Sequence, residues 1–258
     1  MKPRFERFLS TDNPKAIKAE GFGYLNAINY MAPHTSGGVG NLCSHASAGC
    51  IAICLGEHSG QAAMSQTVRD SRKRKAQYFM RERKAFMAEF TFHIAKAYRA
   101  ATKAGLKLCV RPNGATDIAF EGVAFEIDPI LAGKVSKLIG REFPAGKFKN
   151  IFEAFPEVQF VDYTKNPRRF DRSLPSNYHL TFSRSETNES EAKAILKRGY
   201  NVAVVFAHRG DSTFIGGKVV DGDKHDLRHL DPQGGFIIGL TPKGHRAKAD
   251  RSGFVVRT

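Results

Sequence analysis

No stretch of the 258-residue sequence approaches the roughly 20 consecutive apolar residues that cross a bilayer, which excludes a membrane-spanning helix. The opening MKPRFERFLSTDNPK has no apolar block of the kind a secretory signal carries, so a cytoplasmic protein is expected. Cysteine is scarce, with four residues in all. In a reducing compartment such thiols serve metals or catalysis rather than disulfides. There is no G-x-S-x-G elbow and no P-loop. Internal repeats and low-complexity blocks are also missing. Acidic side chains are few, 25 against 40 lysines and arginines, and the net charge is +15.

What is present is concentrated. Three of the four cysteines fall within NLCSHASAGCIAICLG, as Cys43-x6-Cys50-x3-Cys54. Thiolates bind soft or borderline metals. Three of them point to an iron–sulfur cluster with one open iron, or to a Zn2+ site completed by a fourth ligand. The paired C-x2-4-C knuckles common in zinc sites do not occur. His45, His58 or Cys109 would supply the fourth zinc ligand, although Cys109 lies in an apolar run and reads better as core. Cys50 and Cys54, four apart, share a helical face, which suits ligation and packing equally.

The positive charge is also uneven. Between Gln61 and Val110 there are twelve Lys or Arg and three Asp or Glu, densest around Arg72, Lys73, Arg74 and Lys75. Such a face attracts polyanions through counterion release, so nucleic acid is one expected partner. A solvated helix surface has the same composition.

Hydrophobic patterning predicts an α/β fold. Residues 1–20 read as a polar arm, and residues 21–258 as one domain with the cysteine segment at 41–56. Gly23 to Ala32 reads as the first strand, followed by a Gly-rich loop and the cysteines. A helical pattern runs from about Ser59 to Ala104, as one helix or two, and Gly105 ends it. Strand patterns follow at Leu106–Val110, Gln159–Asp162, Tyr178–Phe182, Asn201–Phe206, Lys218–Val220 and Phe236–Leu240. Helical stretches intervene at Asp128–Ile139, Lys149–Phe155 and Glu189–Arg198. Alternation of this kind implies parallel pairing. A partial or complete β/α barrel is expected, TIM-barrel-like, with the cysteine loop after the first strand. The alternative is an open doubly wound parallel sheet.

Parallel β/α architectures gather their chemistry at the carboxyl ends of the strands. Those ends here carry Arg111, Asn113, Gly114 and Asp117; Asp162, Tyr163 and Lys165; Ser183, Ser185 and Glu186; His208 and Arg209; Asp221, Asp223 and Asp226; and Lys243. Asp117, Lys165, Glu186 and Asp221 are the expected catalytic or pocket-lining residues. The segment DGDKHDLRHLD also has the composition of a Mg2+ site, which would make Asp221 and Asp223 the centre of a Mg2+-dependent phosphoester hydrolase. It lacks the ligand order of a calcium loop. A turn closed by Asp221-Gly222-Asp223, with Arg228 paired to a nearby Asp, explains the same residues.

These motifs together resemble the phage gene product 88 domain family. The resemblance runs from about Asn41 to Gly244. It is carried by NLCSHASAGCIAICL, VRPNGATDIAFEG, PEVQFVDYTKNPRR, YHLTFSRSE, GYNVAVVF, VVDGDKHDLRHLDP and GLTPKG. It implies a phage-encoded protein of the host cytoplasm and no particular reaction. More distantly, the chain is similar to radical S-adenosylmethionine enzymes, whose partial barrel carries three cluster cysteines after the first strand. That likeness implies a 4Fe-4S cluster on Cys43, Cys50 and Cys54. It also implies S-adenosylmethionine at the open iron, with its amino group near Asn113 and Gly114. Most of those enzymes space their cysteines C-x3-C-x2-C, whereas this chain has C-x6-C-x3-C. Cluster binding therefore carries over better than radical chemistry. The remaining readings are a zinc- or cluster-stapled nucleic-acid-binding module and the Mg2+-dependent hydrolase.

Overall fold

In the computed structural model, residues 3–12, 14–208 and 212–257 are described. Apolar, β-branched runs form a nine-stranded sheet. Its strands are β1 (Tyr24–Ile28), β2 (Lys107–Arg111), β5 (Gln159–Thr164), β6 (Tyr178–Ser183), β7 (Val202–Phe206), β8 (Thr213–Phe214), β9 (Gly217–Asp221), β10 (Ile237–Leu240) and β11 (Val255–Val256). A separate antiparallel hairpin joins β3 (Phe125–Ile127) to β4 (Gly146–Phe148). The main order is β1-β2-β5-β6-β7-β10-β9-β8, parallel throughout except for β8, which is antiparallel to β9. The short β11 pairs in parallel with the end of β7, at Val205 and Phe206. The mostly parallel α/β scaffold is as expected. The strand order places β1 and β8 at opposite edges, and no ladder joins them among the described residues.

Parallel neighbours need crossover connections, and helices supply them. Between β1 and β2 lie α2 (Ala48–Ala52), α3 (Leu55–His58), α4 (Gly60–Met64), α5 (Gln66–Arg81) and α6 (Arg83–Lys103), after α1 (Pro14–Glu20) at the start. The long helical pattern is thus divided. Ser65 caps α5 by accepting from Val68 N, and Glu82 leaves helical geometry at φ −133°. Farther on come α7 (Pro129–Ile139), α8 (Ile151–Ala154), α9 (Glu189–Lys197) and α10 (Gly244–Lys248). In α7, Asp128 accepts from Leu131 N, Pro129 opens the helix, and Gly140 closes it at φ 73°.

Strand alternation gives the sheet two unlike faces. On one, Leu108, Val110, Phe160, Leu180, Phe182, Val202 and Val204 join the main core with Phe86, Phe90 and Ile94 of α6. Phe5 and Phe8 enter this core as well, so the stretch read as a polar arm is anchored at its aromatics. The other face presents Tyr24, Asn26, Cys109, Arg111, Val161, Tyr163, His179, Thr181 and Ser183. There Cys109 and Val161 pack with Ala19 of α1 and Leu227. That second face leads to the site.

Candidate functional site

The cysteine segment leaves β1 through a loop and begins α2 at Ser47, whose hydroxyl accepts from Cys50 N at 3.2 Å. Glu186, beyond β6, fastens this turn from the far side. It accepts from Ser47 Oγ at 2.8 Å and from Gly49 N at 2.7 Å. Glycine at 49 lets these side chains close in: a Cβ there would lie 2.8 Å from Glu186 Cδ and closer still to Ser252 Oγ, and would push both away. Cys43 Sγ accepts from His34 N at 3.3 Å and lies 3.6 Å from Ala115 O, to which it donates. Cys54 precedes α3 and accepts from the Gly56 backbone. Burial pushes the Cys43 thiol up to about 11 and the Cys54 thiol up to about 12. Both are therefore neutral thiols at physiological pH unless a cation or metal compensates for deprotonation.

All three cysteines line one cavity of about 200 Å3. Its other walls come from the carboxyl ends of the strands and from the C-terminal segment. They include Arg111, Gly114, Asp117, Lys165, Ser183, Lys243 and Phe254. Lys165 Nζ donates to Ser183 Oγ at 2.7 Å and lies 5.1 Å from the centre of the Phe254 ring. Arg111 stacks over Tyr163 at 4.6 Å and donates from Nε to Asn113 O at 3.0 Å. Lys243 pairs with Asp223 at 3.0 Å.

A buried polar network shapes the loop after β2. Asp162 accepts from Asn113 N at 3.0 Å and from Asn113 Nδ2 at 2.8 Å. Asn113 Oδ1 in turn accepts from Thr116 Oγ1 and Ile118 N. Tyr178 donates to Asp162 at 3.2 Å and accepts from Arg169 at 2.6 Å. Arg169 holds Glu121 with two parallel bonds, at 2.7 and 2.8 Å, and Asp117 at 2.9 Å. Burial raises Asp162 to about 7, against the pull of Arg169 and Arg111. Asp117 also accepts from Lys165 N at 2.9 Å, tying this loop to the end of β5.

The residues singled out by sequence thus separate. Cys43, Cys50, Cys54, Gly114, Asp117 and Lys165 line the cavity. Asn113 is buried beneath its loop with its amide fully engaged. Glu186 grips the cysteine turn. Asp221 is exposed and accepts from Asp223 N in a turn. The basic run does not share one surface. Lys73 and Arg74 are exposed, while Arg72 donates to Gly56 O and stacks on Tyr30. Lys75 is buried, donating to Phe8 O at 2.5 Å, and desolvation lowers it to about 7. Arg209 lies outside the described residues. His45 is exposed, next to Ser44 Oγ. No group of three or more His, Cys, Asp or Glu among the described residues is gathered to hold a single metal ion. Arg111 and Ser183, two of the strand-end residues named from the sequence, also line the cavity, whereas Phe254 was not singled out. Arg111 ends β2 and Ser183 ends β6, on either side of β5, whereas Phe254 arrives just before β11.

The gene product 88 family matches residues 7–258. The chain belongs to that family. The gene product 88 match spans every wall of the cavity, from Cys43 to Phe254. No curated protein and no solved structure matches. No helix among the described residues is long and apolar enough to cross a membrane.

Proposed function

We propose that this chain is an iron–sulfur protein in which Cys43, Cys50 and Cys54 hold one 4Fe-4S cluster at the carboxyl ends of the parallel strands. One observation carries the reading: all three cysteines of the segment line a single cavity. The surroundings fit such a group. Backbone N–H groups already point at Cys43 and Cys54 sulfur, and Arg111 and Lys165 line the same cavity, where they would offset charge that thiolates bring. A bound cluster supplies one-electron transfer and, with three protein ligands, an open iron. Thiols held neutral by burial release protons on ligation, so uptake of iron is favoured as pH rises.

A lone Zn2+ needs four donors converging to within about 2.3 Å, which the described residues do not gather. A cubane spreads its thiolates much farther apart. The consecutive order β1-β2-β5-β6-β7 supports a partial-barrel, radical-S-adenosylmethionine-like architecture. In that reading Gly114, which lines the cavity, would be the residue available to S-adenosylmethionine, while the Asn113 amide is engaged by Asp162 and Ile118 O. The nucleic-acid and Mg2+ readings draw less support, because Lys75 points inward and Asp223 is engaged by Lys243.

The test is purification without oxygen. The expected protein is brown, with the broad visible absorption of sulfur-to-iron charge transfer, and Cys→Ala at 43, 50 or 54 removes the iron. A colourless preparation with stoichiometric zinc would end the proposal.

A further inference from the structure

The thiol cavity has a second chemical character, set by its cations. Lys165 directly follows β5 and Ser183 ends β6, one step beyond the register pair Thr164↔Phe182. The 2.7 Å bond from Lys165 Nζ to Ser183 Oγ uses one of the three ammonium donors and leaves the serine proton free to donate. Arg111 commits Nε to Asn113 O and has its plane fixed by Tyr163, leaving its two terminal nitrogens for other acceptors. Other basic side chains nearby are neutralised: Lys243 by Asp223, and Arg169 by Asp117 and Glu121. Among the described residues, neither Lys165 nor Arg111 has a carboxylate within ion-pair distance. Two unneutralised cations and a hydroxyl donor therefore line one small cavity. Cations taken partly out of water need a counter-charge.

We propose that Lys165, Ser183 and Arg111 form an oxyanion-binding subsite that seats a carboxylate or phosphate group of the protein's ligand. This deepens the iron–sulfur reading of the same cavity by naming the class of ligand it takes. The body of that ligand lies in the neighbouring groove. Arg111, Gly114 and Lys243 line both spaces, and the groove, about 1110 Å3, far exceeds the cavity of about 200 Å3. The ligand is therefore an anionic group on a larger body. Charge-assisted bonds from Lys165 and Arg111 supply most of the recognition.

The test is calorimetric titration with inorganic phosphate and, separately, acetate, at constant ionic strength. It uses wild type, Lys165→Met, Lys165→Arg and Ser183→Ala, each with and without iron. Wild type binds at least one anion, and which one identifies the headgroup. Lys165→Met weakens that binding about tenfold or more, Ser183→Ala weakens it by a smaller factor, and Lys165→Arg keeps most of it. Should Lys165→Met fail to fold, Ser183→Ala against wild type carries the comparison. The subsite is overturned if neither anion binds wild type in either preparation, or if loss of the Lys165 charge leaves affinity unchanged. Iron-free protein that cannot be loaded but still binds the anion upholds the subsite and removes the cluster. Iron-loaded protein that ignores both anions does the reverse, and assigns the cations to balancing the cluster alone.

Discussion

The two faces of the sheet are built from the same strands and do opposite things. One face carries Val110, Phe160, Phe182 and Val204, sealed under α6 by Phe86 and Phe90. Each such side chain contributes about 2 to 3 kcal/mol through burial. The other carries Asn26, Arg111, Tyr163, His179, Thr181 and Ser183. Several of its buried polar atoms, among them Asn26 Nδ2, Tyr163 Oη and Thr181 Oγ1, have no protein partner among the described residues. Polar groups placed this way are a liability for stability. Their concentration on one face sets that face apart from the apolar one. The cysteine cavity sits at the carboxyl end of that face.

Substitutions can break this contrast. The largest effect is expected from Phe90→Ala on the apolar face, about 3 to 5 kcal/mol in urea unfolding, with iron content unchanged in the protein that remains folded. Asp162 should give the next. Burial raises its carboxyl from 3.8 to about 7, so the folded state holds its proton more tightly than the unfolded chain does. Its contribution is therefore fully present below about pH 4 and is lost as pH rises through about 7. Wild type should lose stability across that window relative to Asp162→Asn; parallel pH profiles would show that the network is not charged as described. Glu186→Ala removes two bonds from the cysteine turn, a loss of about 2 kcal/mol, and should speed loss of iron more than it lowers the unfolding midpoint. The smallest effect belongs to Tyr163→Phe, under about 1 kcal/mol, because its hydroxyl gives up no protein partner. If Tyr163→Phe proved as damaging as Phe90→Ala, the distinction between the faces would fail.

Much of the scaffold was legible because it is coded locally. The runs QFVD, YHLTF and NVAVVF supply β5, β6 and β7, and the stretch Asp128–Ile139 forms α7 with Asp128 as its cap. The first strand is shorter than its apolar run, since Asn29 N follows Arg111 O off the sheet and its amide turns to Pro112 O. The site was legible in part. The thiols, Gly114, Asp117 and Lys165 share a wall because loops after parallel strands collect at one end. What stayed hidden depends on distant partners. Asn113 belongs to Asp162, 49 residues away. Glu186 belongs to the cysteine turn, 137 residues from Gly49. Lys75 is drawn inward by the carbonyl of Phe8, 67 residues earlier, which no helical periodicity reveals. The hairpin of β3 and β4 also escaped notice, since three-residue strands carry too little alternation to register.

Iron and acid-labile sulfide should be counted per chain, with the optical spectrum, on protein prepared without oxygen, beside the Cys43→Ala, Cys50→Ala and Cys54→Ala variants. The account predicts four of each per wild-type chain, with the visible band and the metal lost together in every variant. Wild-type protein reconstituted with iron and sulfide that remains colourless and iron-free would contradict it.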